Sequence, residues 1–126
     1  MKILHIDDAK LVLDSFSGIL ALCGYDVISC SNGKTGLKLL SEQKFDVLFL
    51  DLAMPGFSGF DVLDELEIQK LLIPNIFVFS AMALKDEEKT LLFKKGVKKI
   101  LSKPTHMEQL LSELKQIQPE VMIHDQ

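Results

Sequence analysis

Arginine and tryptophan are absent from the 126-residue chain, tyrosine occurs once, and cysteine appears only at Cys23 and Cys30. All 14 basic residues are lysine and 18 residues are acidic, giving a net charge of −4 and a sequence pI near 5.3. Arginine makes the commonest bidentate contact to guanine, so its absence from an acidic chain argues against direct reading of nucleic acid. Two cysteines outside any CxxC pair provide neither a disulfide framework nor a zinc site, and both are expected as core thiols in a reducing cytosol. No apolar run approaches the roughly 18 residues of a membrane span. The opening Met1-Lys2-Ile3-Leu4-His5-Ile6-Asp7-Asp8 places two carboxylates where a signal peptide needs apolar residues. A cytoplasmic protein without membrane association is the expectation.

What is present is ordinary for one folded domain: 48% hydrophobic and 25% charged residues. A chain of this length buries roughly two-thirds of its unfolded surface, enough for a core without a structural metal. Short apolar runs at 2–6, 26–30, 46–50, 75–79 and 98–101 read as strands bounded by Gly, Pro, Asn and Asp. Val47-Leu48-Phe49-Leu50 and Ile76-Phe77-Val78-Phe79 do not alternate with polar residues, which suits central strands of a parallel sheet covered on both faces. Val12, Phe16, Ile19, Leu20 and Cys23 share one helical face, as do Met107, Leu110, Leu111, Leu114 and Ile117.

Further helices are expected at about 34–41, 59–72 and 85–95. Ser58 with Asp61 and Thr105 with Glu108 have the spacing of N-terminal caps, and Gly24 and Gly96 supply C-terminal stops. Five β-α units in alternation predict a doubly wound, five-stranded parallel α/β sheet in three layers, with right-handed crossovers. The domain is expected over 1–118, with 119–126 as a short tail. Lys85–Lys103 holds seven lysines against three acids, and apart from Lys103 it reads as a solvated face.

Ligands of such sheets bind outside the carboxyl ends of the strands. Asp7-Asp8 follow the first strand, Asp51 the third and Ser80 the fourth, and Lys103 lies just past the fifth. Two carboxylates about 5 Å apart repel by roughly 3 kcal/mol at an effective dielectric near 20, so three together call for a cation. Hard oxygen donors suit Mg²⁺. A carboxylate attacks phosphorus, a divalent ion bridges it to the phosphoryl oxygens, and a lysine neutralises the remaining charge. Asp51, followed by the turn-forming Leu52-Ala53-Met54-Pro55-Gly56, is the best acceptor, and the adjacent Asp7 and Asp8 suit the metal.

Asp7-Asp8, Asp51 with Met54-Pro55-Gly56, Ser80-Ala81, Gly96-Val97 and Lys103-Pro104 together resemble the receiver domain of bacterial-type two-component response regulators. The likeness runs from about residue 2 to 117, and it implies a flavodoxin-like (βα)5 fold. It further implies that Asp51 is the phosphoacceptor, with Mg²⁺ held by Asp7, Asp8, Asp51 and the Ala53 carbonyl. Ser80 and Lys103 would contact the phosphoryl group, and the Lys103–Pro104 peptide would be cis, which only X-Pro bonds adopt cheaply. The implied partners are a sensor histidine kinase or phosphotransfer protein and a downstream protein target, with the chain a monomer or weak dimer. Its only catalysis would be its own phosphorylation and dephosphorylation.

One departure concerns the switch, for which receivers pair Ser or Thr with an aromatic three residues before the lysine. Here Ser80 pairs with Ile100, whose stiff aliphatic side chain cannot reproduce the movement of a polar-tipped ring. Ala53 and Met82 flank the path of the hydrolytic water by the same resemblance, and neither has a side chain to orient it, so slow to moderate self-dephosphorylation is expected. After the last helix too little chain remains for a DNA-binding module. The protein therefore signals by protein contact or is part of something longer. A haloacid-dehalogenase-type hydrolase would want a second Asp where Ala53 stands. A nucleotide binder would want a glycine-rich loop after the first strand, where Asp7-Asp8 repel phosphate. A non-phosphorylated pseudo-receiver, kept as an interaction module, is the remaining alternative.

His5, inside the first strand, is expected to be packed rather than catalytic. Neither His106 nor His124 has a metal-ligand partner at helical spacing. Phe57 and Phe60 suit either core packing or a docking surface.

Overall fold

The computed structural model of the chain describes residues 1–124, with side chains through residue 117. Its elements alternate in chain order: β1 (Lys2–Ile6), α1 (Lys10–Leu22), β2 (Asp26–Cys30), α2 (Gly33–Glu42), β3 (Val47–Asp51), α3 (Gly59–Ile68), β4 (Asn75–Ser80), α4 (Asp86–Lys94), β5 (Val97–Ser102) and α5 (Met107–His124). All five strands are parallel in the order β2-β1-β3-β4-β5. This is the doubly wound, flavodoxin-like order, whose reversal between β1 and β3 opens a crevice at the carboxyl edge.

The two-residue period of the strands divides the core. Leu4, Ile6, Leu48, Leu50, Ile76 and Val78 face one side and pack with Leu40 of α2, Val62, Leu63 and Leu66 of α3 and Leu92 of α4. Ile3, Val47, Phe49, Phe77, Phe79 and Leu101 face the other, against Leu20 of α1 and Leu110 and Leu114 of α5. Burial of each such side chain contributes about 1.5–3 kcal/mol, so both covering layers are well anchored. Phe49 stacks on Phe77 and Phe79 at centroid distances of 5.4 and 5.8 Å, fixing the middle of the second face.

Helix ends follow local chemistry. The Ser58 hydroxyl accepts from the Asp61 amide while the Asp61 carboxylate accepts from the Ser58 amide, a reciprocal cap that starts α3. This helix ends at Ile68, four residues before the expected Leu72. Lys70 takes a left-handed φ of 57°, and the amides of Lys70 and Leu71 turn back to the carbonyls of Glu67 and Leu66. Gly24 closes α1 in the same way with φ of 91°, its amide on Ala21 and that of Tyr25 on Leu20.

The other boundaries move by a residue or two, apart from the end of α5. β3 and β4 each end one residue later than expected, making Asp51 and Ser80 terminal strand residues. Thr105 is not the cap of α5: the helix starts at Met107, and the Thr105 hydroxyl donates instead to the Ser102 carbonyl. α5 runs on to His124, so most of the segment expected as a tail is helical in backbone, while residues 125 and 126 lie outside the described residues. Cys30 is buried but Cys23 is exposed, because it caps α1 at its solvent end, so only one of the two thiols belongs to the core.

Phe57 and Phe60 are partly buried against the α2-α3 side of the core. Within the lysine-rich stretch, Lys95 pairs with Asp64 at 2.6 Å, Lys98 donates to Asn75 at 3.0 Å and Lys99 pairs with Glu113. Three of these lysines therefore tie elements of the fold together. No helix among the described residues is long and apolar enough to cross a membrane.

Candidate functional site

The carboxyl edge of the sheet gathers the acids. The Asp7 amide continues the ladder to the Cys30 carbonyl at 3.2 Å, and that of Leu52 continues it to Phe79 at 3.1 Å. These bonds hold Asp7 and Asp51 at the mouth of the β1-β3 crevice. Asp7 is fully buried and Asp51 2% exposed, whereas Asp8 faces solvent. Asp7, Asp8 and Asp51 each offer a carboxylate oxygen, and the three oxygens lie within 4.8 Å of one another.

Lys103 supplies the opposing charge. Its Nζ stands 3.1 Å from Asp51 Oδ2 and 3.2 Å from Asp7 Oδ2. The Lys103 amide donates to the Ser80 carbonyl at 2.9 Å, which ties the loop after β5 to the end of β4, and the following Lys103–Pro104 peptide is cis. The other carboxylate oxygens are held locally, Asp7 Oδ1 by the Ala9 amide at 2.9 Å and Asp51 Oδ1 by the Ala53 amide at 3.3 Å. Ala53 itself is exposed at the rim.

One ammonium does not balance three carboxylates, and the titration of Asp51 reflects this. Burial and then the Asp7 charge push its pKa up to about 6, against the opposing pull of Lys103. For Lys103, burial works to lower the pKa but is outweighed by pairing with Asp51 and Asp7, so the net direction is upward. The ammonium stays charged throughout the physiological range. An all-oxygen, multiply anionic donor set of this kind fits a hard divalent cation that keeps several waters, and Mg²⁺ is the best match.

Ser80 ends the neighbouring strand, but its hydroxyl is engaged within its own loop. It donates to the Met82 carbonyl at 2.8 Å and accepts from the Met82 amide at 3.2 Å. Ile100, paired with Val78 in the sheet, is half-buried against the core. It lines a 370 Å³ hollow together with Ser80, Met82, Leu84 and Phe93. Asp7, Asp8, Asp51 and Lys103 thus meet at one point, while Ser80 and Ile100 sit beside it on the β4-β5 side.

Two residues near the site had escaped the functional reading of the sequence. Gly59 opens α3 directly against the acceptor strand: a Cβ there would lie 2.5 Å from the Asp51 carbonyl oxygen and 2.8 Å from Leu52 Cα. Its amide donates to the Leu52 carbonyl at 3.0 Å. The signal was faint, a single glycine following a capping serine. His5 is packed as expected, stacked on Phe16 at 5.4 Å and edge-on to Phe49 and Phe79. Its Nε2 nevertheless lies 4.0 Å from Asp7 Oδ2. Burial lowers the His5 pKa to about 4, the nearby Asp7 charge opposing the shift and Lys103 adding to it, so the ring is neutral at pH 7.

Comparison with known proteins agrees with the fold and the clustered acids. The response regulator receiver domain matches residues 3–115, and the chain belongs to that family. It is a domain of the two-component response regulator class, which accepts a phosphoryl group on aspartate. The chain is 34% identical over 105 residues to the alkaline phosphatase synthesis transcriptional regulatory protein PhoP of Bacillus subtilis, covering 82% of this chain and 42% of that protein. It is 30% identical over 115 residues to the cell cycle response regulator CtrA of Brucella abortus, covering 90% and 48%. The chain therefore spans less than half the length of these relatives.

Among solved structures, the chemotaxis protein CheY4 of Vibrio cholerae superposes with a TM-score of 0.81 at 27% identity, covering 91% of this chain and 96% of that one. The response regulator TrrA of Thermotoga maritima, in complex with Mg²⁺ and BeF, shares the fold with a TM-score of 0.74 at 24% identity, covering 91% and 96%.

Proposed function

We propose that residues 1–118 act as a phosphorylatable receiver in which Asp51 takes a phosphoryl group from the phosphohistidine of a sensor kinase or phosphotransfer protein. Asp51 Oδ2 attacks phosphorus as the P–N bond to the donor imidazole breaks, and the imidazole leaves with that electron pair. Asp51 must be ionised to attack, and the Lys103 ammonium beside Oδ2 favours that form. Lys103 keeps its proton and follows the charge from the carboxylate to the phosphoryl oxygens. The side chains of Asp7, Asp8 and Asp51, with the Ala53 carbonyl, would hold Mg²⁺. When bound, the ion supplies charge neutralisation at the phosphoryl oxygens.

Ser80 donates to the new phosphoryl oxygen once its hydroxyl releases the Met82 carbonyl, and the loop after β4 moves with it. Ile100 lies beside that loop and its repacking carries the change toward the α4-β5 surface. A protein target in the cytoplasm reads the altered surface, with no direct contact to nucleic acid, and the chain works as a monomer or weak dimer. The observation that carries this reading is the single ammonium of Lys103 within 3.2 Å of both Asp51 and Asp7, with Asp8 in the same oxygen cluster.

Incubation with acetyl phosphate, with and without Mg²⁺, tests it by intact mass. A metal-dependent gain of one phosphoryl group that is absent in Asp51→Ala supports the mechanism. No gain under any condition supports a pseudo-receiver that acts only as an interaction module.

A further inference from the structure

Three buried side-chain polar atoms among the described residues have no hydrogen-bond partner, and they form one group: His5 Nδ1, His5 Nε2 and Asp7 Oδ2, the last of which has only its ion pair with Lys103. A buried polar atom left unsatisfied costs about 1–3 kcal/mol, so such a group is expected only where something else needs it. The position itself asks for an aliphatic residue. His5 points to the α1-α5 face of the sheet, where Phe16, Phe49 and Phe79 surround it and Ile3 precedes it on the same face.

The two carboxylate oxygens of Asp7 have different surroundings. Oδ1 is held by the Ala9 amide, while Oδ2 faces the Lys103 ammonium at 3.2 Å and His5 Nε2 at 4.0 Å. The proposed chemistry moves Lys103 toward the phosphoryl oxygens, which takes from Oδ2 its only close positive charge among the described residues. The imidazole N–H is then the donor left beside that oxygen. The gap must close by about 1 Å to reach an ordinary hydrogen bond. Asp7 also lines a 290 Å³ cavity with Phe16, Phe79, Lys103 and Pro104, so its carboxylate is not tightly packed on that side. His5 is not itself part of the oxygen cluster formed by Asp7, Asp8 and Asp51.

We propose that His5 is a positioning residue for the divalent-ion site: its Nε2–H orients the Asp7 carboxylate by donating to Oδ2 when Lys103 is drawn away. The inference rests on the receiver reading above. Groups that hydrogen-bond to a metal's ligands typically change metal affinity by about 10–100-fold when removed.

Calorimetric titration of the full chain with Mg²⁺ in the presence of beryllium fluoride, a phosphoryl mimic that gives the Lys103 ammonium its new partner, tests the proposal on native protein, His5→Leu and His5→Gln. The expected result is at least about tenfold weaker binding by His5→Leu, with His5→Gln, which retains a donor at similar reach, close to native. Unchanged affinity in His5→Leu would overturn it, as would equal weakening in both variants, since that assigns the effect to ring packing. A native chain that binds no Mg²⁺ would instead overturn the ion-site reading on which the inference depends. Nitrogen-15 spectra of the native imidazole give a second readout that needs no variant to fold. The Nε2–H tautomer with Mg²⁺ and beryllium fluoride bound is expected, and the Nδ1–H tautomer would overturn the proposal.

Discussion

Lys103 Nζ lies 3.1 Å from Asp51 Oδ2 and nearly as close to Asp7, so one ammonium is shared between two buried carboxylates that come from different strands. Removing one partner of a buried ion pair leaves the other charges uncompensated. Lys103→Met should therefore destabilise the metal-free protein at pH 7 by on the order of 2 kcal/mol, a figure reduced for the partial exposure of the ammonium. Urea denaturation in EDTA measures this. Saturating Mg²⁺ should restore much of the loss, because the ion takes over the neutralisation.

Asp51 and His5 give the metal-free protein opposed pH dependences. The Asp51 pKa is raised from 3.8 to about 6, so the folded state binds the proton more tightly than the unfolded state. The resulting loss of stability is absent below pH 3.8, grows up to about pH 6 and is complete above it. Asp51→Asn should then be more stable than the native chain above pH 6 in EDTA, with the difference shrinking as the pH falls toward 4.

For His5 the sign reverses. Its pKa falls from 6.5 to about 4, so stability is full above pH 6.5 and is lost as the pH drops toward 4. That shift corresponds to roughly 3 kcal/mol between the two limits. His5→Leu should remove this acid-side loss and steepen the apparent gain on acidification that comes from Asp51. Denaturation midpoints at pH 4.5, 6 and 7.5 for both variants separate the two groups.

The strand-end acids and Lys103 were legible in the sequence because each closes a short apolar run, and the carboxyl edge of a parallel sheet collects such residues. The assignment of core faces was legible for the same reason, since Phe49 and Leu50 must point to opposite sides. What could not be read was set by backbone torsion or by distant packing. The early end of α3 depends on the left-handed Lys70, a conformation that composition does not announce. The Ser80 hydroxyl turns to Met82 because of the loop path, which no residue type encodes. The proximity of His5 to Asp7 Oδ2 depends on the way α1 lays Phe16 over the ring.

Gly59 makes a steric prediction. An added methyl would meet backbone atoms of Asp51 and Leu52, which cannot rotate away as a flexible side chain does. Gly59→Ala should cost about 1–3 kcal/mol by overpacking. It should also shift the amide resonances of Leu52 and Ala53, and slow phosphorylation by acetyl phosphate, more than Gly18→Ala, where the added methyl meets open space.

The bond between Ser80 and Met82 should report the switch. Phosphorylation is expected to release the Met82 amide, giving it one of the larger shifts in the spectrum of the native chain. In Ser80→Ala that amide has no hydroxyl to lose, and its response should be small even when Asp51 is fully phosphorylated.

Self-dephosphorylation bears on Ala53. With no side chain there to orient a water, the native acyl phosphate should outlast that of Ala53→Asn several-fold, read as the decay of the phosphorylated mass after removal of the donor.

The most direct test of the central claim is chemical location of the acyl phosphate. Borohydride reduces a phosphorylated aspartate to homoserine with release of phosphate, so peptide sequencing after treatment with phosphoramidate and Mg²⁺ marks the acceptor. Homoserine at position 51 alone, and only when Mg²⁺ was present, is the expected result. Homoserine at position 7 or 8, or its appearance at 51 without any divalent ion, would contradict the account.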